Sequence, residues 1–136
     1  MILRYVRDGA MSPYEVWRRL YFTTEELNNQ SISGDNADAD HDGMSNLNEY
    51  RCGTRPNDGT SCLGFTALDS CPPVSGGFVV SWQSASNKQY TLQAATNLMK
   101  GFGLILGTNI AATPPENVHT DSVGTAEQRF YRVTVE

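Results

Sequence analysis

The chain is expected to be mainly β with an α-helical N-terminal part: a small antiparallel β-sandwich preceded by a helical segment and an acidic loop. Three observations lead there. After about Ser61, six short alternating apolar segments follow in about 75 residues, separated by Gly, Pro, Ser and Asn. Before that point, the apolar residues of Tyr14–Tyr21 recur at three- and four-residue spacing. Strands and helices do not alternate, which argues against a parallel nucleotide-binding fold. The expected division is residues 1–60, an N-terminal strand and helical segment with the acidic loop, and residues 61–136, the sandwich.

The elements follow in order. Met1–Arg7 alternates loosely and is expected to form a strand, ended by Asp8-Gly9. Ser12-Pro13-Tyr14-Glu15 starts a helix, with Ser12 as cap, Pro13 at the first helical position and Glu15 closing a capping box. Tyr14, Trp17, Leu20 and Tyr21 are expected on one packing face of it. Thr23-Thr24-Glu25-Glu26 repeats the box and starts a second short helix running to about Asn29. Asn28 to Ala37 reads as a polar loop, and Asn29-Gln30-Ser31 matches a glycosylation triplet. Ser45 is expected to cap a helix carrying Leu47, Glu49 and Tyr50, with Gly53 at its C-terminal end. The expected strands are Cys62–Leu68, Phe78–Gln83, Gln89–Ala95, Phe102–Leu106, Val118–Asp121 and Arg129–Val135. Phe78, Val80 and Trp82 share one face, as do Tyr90, Leu92 and Ala94.

Composition narrows the function. The 136 residues carry 10 Lys plus Arg against 15 Asp plus Glu, a net charge of −5. With no basic excess, binding to nucleic acid through its phosphates is not expected. No run approaches the roughly 18 apolar residues of a membrane helix, so no span is expected. Met1–Arg7 is too short and too charged for a signal peptide, so export information is expected outside this chain, or the chain is a mature or excised segment. Cys52, Cys62 and Cys71 contain no C-x-x-C pair, which argues against zinc. The turn-rich residues between Cys52 and Cys62 make that pair the disulfide candidate, which would fit an oxidising compartment.

Most of the net charge is one cluster. Residues 31–60 hold Arg51 and Arg55 against Asp35, Asp38, Asp40, Asp42, Glu49 and Asp58. Clustered carboxylates repel unless water or a cation screens them. The segment Asp38-Ala-Asp40-His-Asp42-Gly43-Met44-Ser-Asn46-Leu-Asn-Glu49 fills every position of a twelve-residue calcium loop. Calcium takes six to eight oxygens at about 2.3–2.6 Å. Asp38, Asp40 and Asp42 occupy positions one, three and five, and Gly43 permits the sharp turn at six. Met44 would offer its backbone carbonyl, Asn46 would bind directly or through water, and Glu49 would close the shell with both oxygens. Asp35 and Asn36, just upstream, either bind or add charge.

The loop departs from a true EF-hand. Roughly ten polar residues separate the preceding helical pattern from Asp38, and Ser45 stands at position eight, normally apolar. This favours a structural calcium site over a sensor that swings two helices.

With Trp17…Tyr21-Phe22, the acidic loop, Ser45-Asn-Leu-Asn-Glu-Tyr50 and Gly53-Thr54-Arg-Pro56, the chain resembles a calcium-binding segment widespread in secreted bacterial proteins. Its loop is similar to those of dockerins and thrombospondin type 3 repeats. Val79-Val80-Ser81-Trp82, Tyr90-Thr-Leu-Gln, Asn97-Leu98 and Arg129-Phe-Tyr-Arg-Val133 resemble the short C-terminal β-module that often follows such a segment. The Trp82 and Tyr90 strands also resemble early strands of fibronectin type III domains. The resemblance implies a non-catalytic extracellular or cell-surface module with calcium held by Asp38, Asp40, Asp42, Met44, Asn46 and Glu49. One loop, where a dockerin has two, argues against a cohesin partner.

Catalysis is not expected. The chain has no G-x-S-x-G, H-E-x-x-H or Walker motif. His41, at loop position four, reads as a surface residue, and His119 with Asp121 as an exposed pair. The expected function is therefore a calcium-stabilised structural or attachment module, joined to other protein segments. The alternative is a self-assembling extracellular filament subunit, in which Met1–Arg7 adds to an open sheet edge of another copy. A carbohydrate-binding module, using Trp82, Tyr90, Phe102 and Tyr131 as a platform for polysaccharide, is less favoured because Trp82 and Tyr90 lie on apolar strand faces.

Overall fold

The computed structural model describes residues 11–70, 77–122 and 128–136. The expected strand Met1–Arg7 and Cys71 lie outside the described residues. The chain divides into two compact units, one ending at Cys62 and the other beginning at Leu63.

The first unit is helical. Helix α1 (Pro13–Tyr21) has Ser12 as its N-cap, whose Oγ accepts from the Glu15 amide at 3.2 Å. Only this half of the expected capping box forms, because the Glu15 carboxylate accepts instead from Arg18 Nη1 at 3.1 Å. In α2 (Thr24–Leu27) the box is complete. Thr23 Oγ1 accepts from the Glu26 amide and Glu26 Oε2 accepts from the Thr23 amide at 2.7 Å.

The stretch expected as a loop holds a further turn of helix, α3 (Gln30–Ser33), capped by Asn29 Oδ1 on the Ser31 amide at 3.0 Å. One turn is too short to show periodicity. Gly34 ends it, and a Cβ there would sit 2.3 Å from the Gln30 carbonyl oxygen. Helix α3 therefore ends only residues 34–37 short of Asp38, a smaller gap than expected, yet still without a helix running into the loop. Helix α4 (Asn46–Cys52) is capped by Ser45, and Gly53 ends it in the left-handed region at φ 74°.

The aromatic face of α1 packs on α4. Tyr14 and Trp17 lie with ring centroids 5.0 and 5.5 Å from Tyr50, and Trp17 lies 5.2 Å from Tyr21. Leu20, expected on that face, is instead 75% exposed. At 100° per residue it stands about 100° away from Tyr21 on the helix.

The second unit is the antiparallel sandwich: two three-stranded sheets, ordered β1-β2-β5 and β4-β3-β6. The strands are β1 (Phe65–Ser70), β2 (Phe78–Gln83), β3 (Gln89–Ala95), β4 (Leu104–Ala111), β5 (Glu116–Asp121) and β6 (Phe130–Val135). Strands β2 and β3 match the expected bounds; β1 starts later, β5 earlier, and β4 runs five residues further than expected. Each sheet places its most buried strand centrally, β2 in one and β3 in the other, where both edges are paired. Val80, Trp82, Tyr90 and Leu92 form the buried core, ringed by Leu106, Ile110, Tyr131, Val133 and Val135. Trp82 meets Tyr90 edge-on at 5.9 Å. These four side chains each contribute roughly 1.5–3 kcal/mol by leaving water.

Polar side chains pin the sandwich at two points. Buried Asn117 accepts from the Thr113 amide at 3.0 Å and donates to the Ala111 carbonyl at 2.9 Å, holding the β4–β5 connection. Buried Asp121 of β5 accepts from Arg129 at 3.1 Å and from the Tyr131 hydroxyl of β6 at 2.9 Å, linking the two sheets. Asp121 is thus no part of an exposed pair with His119. Strand alternation places it inward, where its charge needs the guanidinium.

Candidate cation site

The site is built by the ends of α3 and α4 and the loop between them. The first amides of α4 lack partners within the helix. Asn46 donates its amide to the Ala37 carbonyl at 2.8 Å and Leu47 to the Asp35 carbonyl at 3.1 Å. The side chain of Asn46, fully buried, donates from Nδ2 to the carbonyls of Ile32 and Gly34 at 2.7 and 2.9 Å. Asn46 therefore stitches the end of α3 to the start of α4 and closes the loop at its base.

Within the loop, backbone amides turn toward the carboxylates. Asp38 Oδ1 and Asp40 Oδ1 both accept from the Asp42 amide at 3.2 Å, and Asp38 Oδ2 accepts from Gly43 at 2.9 Å. Asp42 Oδ1 accepts from the Met44 amide at 2.8 Å. The reversal uses left-handed backbone at His41 (φ 61°) and Gly43 (φ 97°). His41 is exposed.

One carboxylate oxygen from each of Asp38, Asp40 and Asp42 falls within 4.8 Å of the others, a cluster that can hold a metal ion. At that separation and an effective dielectric of about 20, each pair of charges repels by about 3 kcal/mol. Burial, and the charges of Asp42 and Asp38, raise the Asp40 carboxyl above its usual range, against the lowering pull of the Asp42 and Asp58 backbone amides. Gly59 sits over the loop; a Cβ there would lie 3.5 Å from the Asp40 carbonyl oxygen.

Glu49 is not one of the three clustered carboxylates. It is 1% exposed on α4. Burial pushes it up to about 7; Thr54's hydrogen bond opposes this, while the charges of Asp42, Asp40 and Asp38 add to it. Its Oε1 accepts from the Thr54 hydroxyl at 2.6 Å. Among the described residues, five buried side-chain polar atoms have no hydrogen-bond partner: Asp40 Oδ2, Asp42 Oδ2, Asn46 Oδ1, Glu49 Oε2 and Trp82 Nε1. Four of these five are oxygens of the expected ligand residues. Buried polar atoms are almost always paired, so four orphaned acceptors in one loop and its helix are a concentrated deficit of donors or positive charge.

No protein-family model, no curated protein and no solved structure matches this chain.

Asp35, the upstream candidate, accepts from the Tyr14 hydroxyl at 3.0 Å. Thr54 and the amide of Asn46 have roles that sequence reasoning missed. The Gly53-Thr54 step after a helix bearing Glu49 was the available signal for Thr54. Cys52 is buried at the end of α4, and Cys62 is half-buried. Burial first, and then the charges of Asp42, Glu49 and Asp40, push the Cys62 thiol up. A Cys52–Cys62 disulfide would belong to an oxidised form. No helix among the described residues is long and apolar enough to cross a membrane.

Proposed function

We propose that the acidic loop binds calcium and that the chain is a non-catalytic, calcium-stabilised structural or attachment module of an extracellular or cell-surface protein. One observation carries the reading: buried, unpartnered oxygens of Asp40, Asp42, Asn46 and Glu49, brought together in one helical unit. Hard oxygens of this kind suit a hard divalent cation. Calcium would take Asp38, Asp40, Asp42, Asn46, Glu49 and the Met44 carbonyl, offset the repulsion among the carboxylates and tie the loop to α4. Its binding energy would then be folding energy. Extracellular calcium modules bind at about 10⁻⁴–10⁻³ M, and that range is expected here.

A non-catalytic role is the better reading because the loop carboxylates would be spent on the ion, leaving no proton to transfer. The polysaccharide reading has less support, since Trp82 and Tyr90 are 0% and 1% exposed and offer no stacking face. Filament assembly through Met1–Arg7 draws on residues outside those described. A Cys52–Cys62 disulfide belongs to the same extracellular reading.

The test is thermal unfolding in calcium and in chelator, together with calcorimetric titration of the full chain. A higher melting temperature in millimolar calcium is expected, and Asp40→Ala should melt in calcium near the chelated parent. Equal melting of the parent in calcium and in chelator would remove the site assignment.

A further inference from the structure

We propose that Thr54 sets how Glu49 meets the cation: its hydroxyl holds Oε1, so that Glu49 enters the shell through Oε2 alone. This rests on the reading that the loop binds calcium. The loop pattern assigns both oxygens of the position-twelve glutamate to the ion. Here one of them is already engaged, with Thr54 Oγ1 on Oε1 at 2.6 Å, while Oε2 is buried and unpartnered.

Thr54 is not an adjustable partner. Gly53 ends α4 in the left-handed region, and the Thr54 amide then donates back to the Glu49 carbonyl at 3.0 Å. This reversal fixes the backbone of residue 54 beside the glutamate it restrains. Thr54 is itself only 8% exposed, so water does not compete for the hydroxyl. The hydroxyl on Oε1 at 2.6 Å lies closer than the amides at 3.2 and 2.9 Å on the two Asp38 oxygens, so it withdraws more electron density and makes Oε1 a poorer ligand than the unpartnered Oε2. Thr54 is thus a positioning residue, acting on the ion through Glu49.

The consequence is selectivity. Calcium accepts six to eight oxygens and tolerates a carboxylate bound through both; magnesium demands six single oxygens at about 2.0–2.1 Å. A glutamate restricted to one oxygen removes a contact that only the larger ion can use. The site should therefore discriminate weakly between the two ions.

The experiment is competition of calcium and magnesium for the full chain, by calorimetry, in the parent, Thr54→Val and Thr54→Ser. Thr54→Val frees Oε1, and the ratio of the magnesium Kd to the calcium Kd should rise about tenfold. Thr54→Ser keeps the hydroxyl and should keep the parental ratio. A merely structural Thr54 would lower the melting temperature in calcium and chelator alike and leave the ratio unmoved; that result overturns the proposal. A parent that binds neither ion overturns the calcium reading itself, and this proposal with it. The parent gives a second measurement that does not depend on the folding of Thr54→Val. Infrared difference spectra with calcium, recorded on the parent with its glutamate carboxylates 13C-labelled, separate the Glu49 stretches from those of the loop aspartates. A wide splitting of the two Glu49 stretches marks one-oxygen binding and is expected; a narrow splitting overturns the proposal.

Discussion

The Tyr14 hydroxyl donates to Asp35 Oδ1 at 3.0 Å across 21 residues of sequence. The carbonyl of the same Asp35 accepts from the Leu47 amide at 3.1 Å, so one residue joins α1 to the first turn of α4. Burial, then the hydrogen bond and charge of Asp35, push the Tyr14 phenol from 10.0 up to about 12, against the pull of Arg18. A raised pKa means that the folded state favours the protonated phenol. Its contribution is fully present below about pH 10 and is lost as pH rises through about 12. Absorbance titration of the parent minus Tyr14→Phe should show a single tyrosine ionising near 12 rather than near 10. A difference curve centred on 10 would mean that the bond does not persist in solution.

Replacing Glu49 separates the two roles of its carboxyl. Glu49→Gln keeps an acceptor for Thr54 and removes a buried charge that the three aspartates oppose. In chelator the variant should be at least as stable as the parent. In calcium it should gain little, because the ion loses an anionic ligand. Differential scanning calorimetry in both buffers reads this directly, and a full calcium-induced shift in Glu49→Gln would exclude Glu49 from the shell.

The parts of this molecule that were legible from sequence are those written in local spacing. The alternation around Trp82 and Tyr90 located β2 and β3, and the glycines at 43 and 53 announced the two positive φ angles that turn the loop and end α4. The loop pattern alone points to Asp40, Asp42, Asn46 and Glu49, whose buried oxygens lack partners. What escaped depends on distant partners. The amide of Asn46 reaches carbonyls 14 and 12 residues back, and nothing in its neighbours says so. Asp121 looked exposed because its partners, Arg129 and Tyr131, belong to a later strand and its approach. Strand β4 runs on past the expected end at Leu106, where a register slip around Leu92 and the turn of Asn109 to φ 52° interrupt the alternation a sequence can show.

The Asp121–Arg129 pair predicts an asymmetric response to mutation. Their side chains are 5% and 4% exposed, so neither charge is solvated without the other. Asp121→Asn leaves the guanidinium buried without a counter-charge and should cost about 3–5 kcal/mol. Tyr131→Phe removes one hydrogen bond and should cost about 1–2 kcal/mol. Urea unfolding of the two variants checks the order, and an Asp121→Asn cost below that of Tyr131→Phe would show that the pair is solvated.

Gly43 offers a test of the loop that touches no ligand. Its φ is 97°, a region that side chains rarely adopt, yet a Cβ there would meet nothing within 4 Å. Gly43→Ala therefore introduces strain without a clash. Backbone strain of this kind costs about 1–3 kcal/mol where the surrounding structure enforces it. The Gly43 amide donates to Asp38 Oδ2 at 2.9 Å, so relaxing the strain would pull that amide off the carboxylate. In chelator the loop carboxylates repel and the turn can give way, so the variant should melt close to the parent. In calcium the ion would hold the turn closed, and the strain should then appear as weaker binding, by about tenfold or more. Calcium titration and chelated melting of Gly43→Ala measure the two halves separately. A loss of stability in chelator equal to that in calcium would mean that the turn is rigid without the ion, and that calcium ties down a loop already formed.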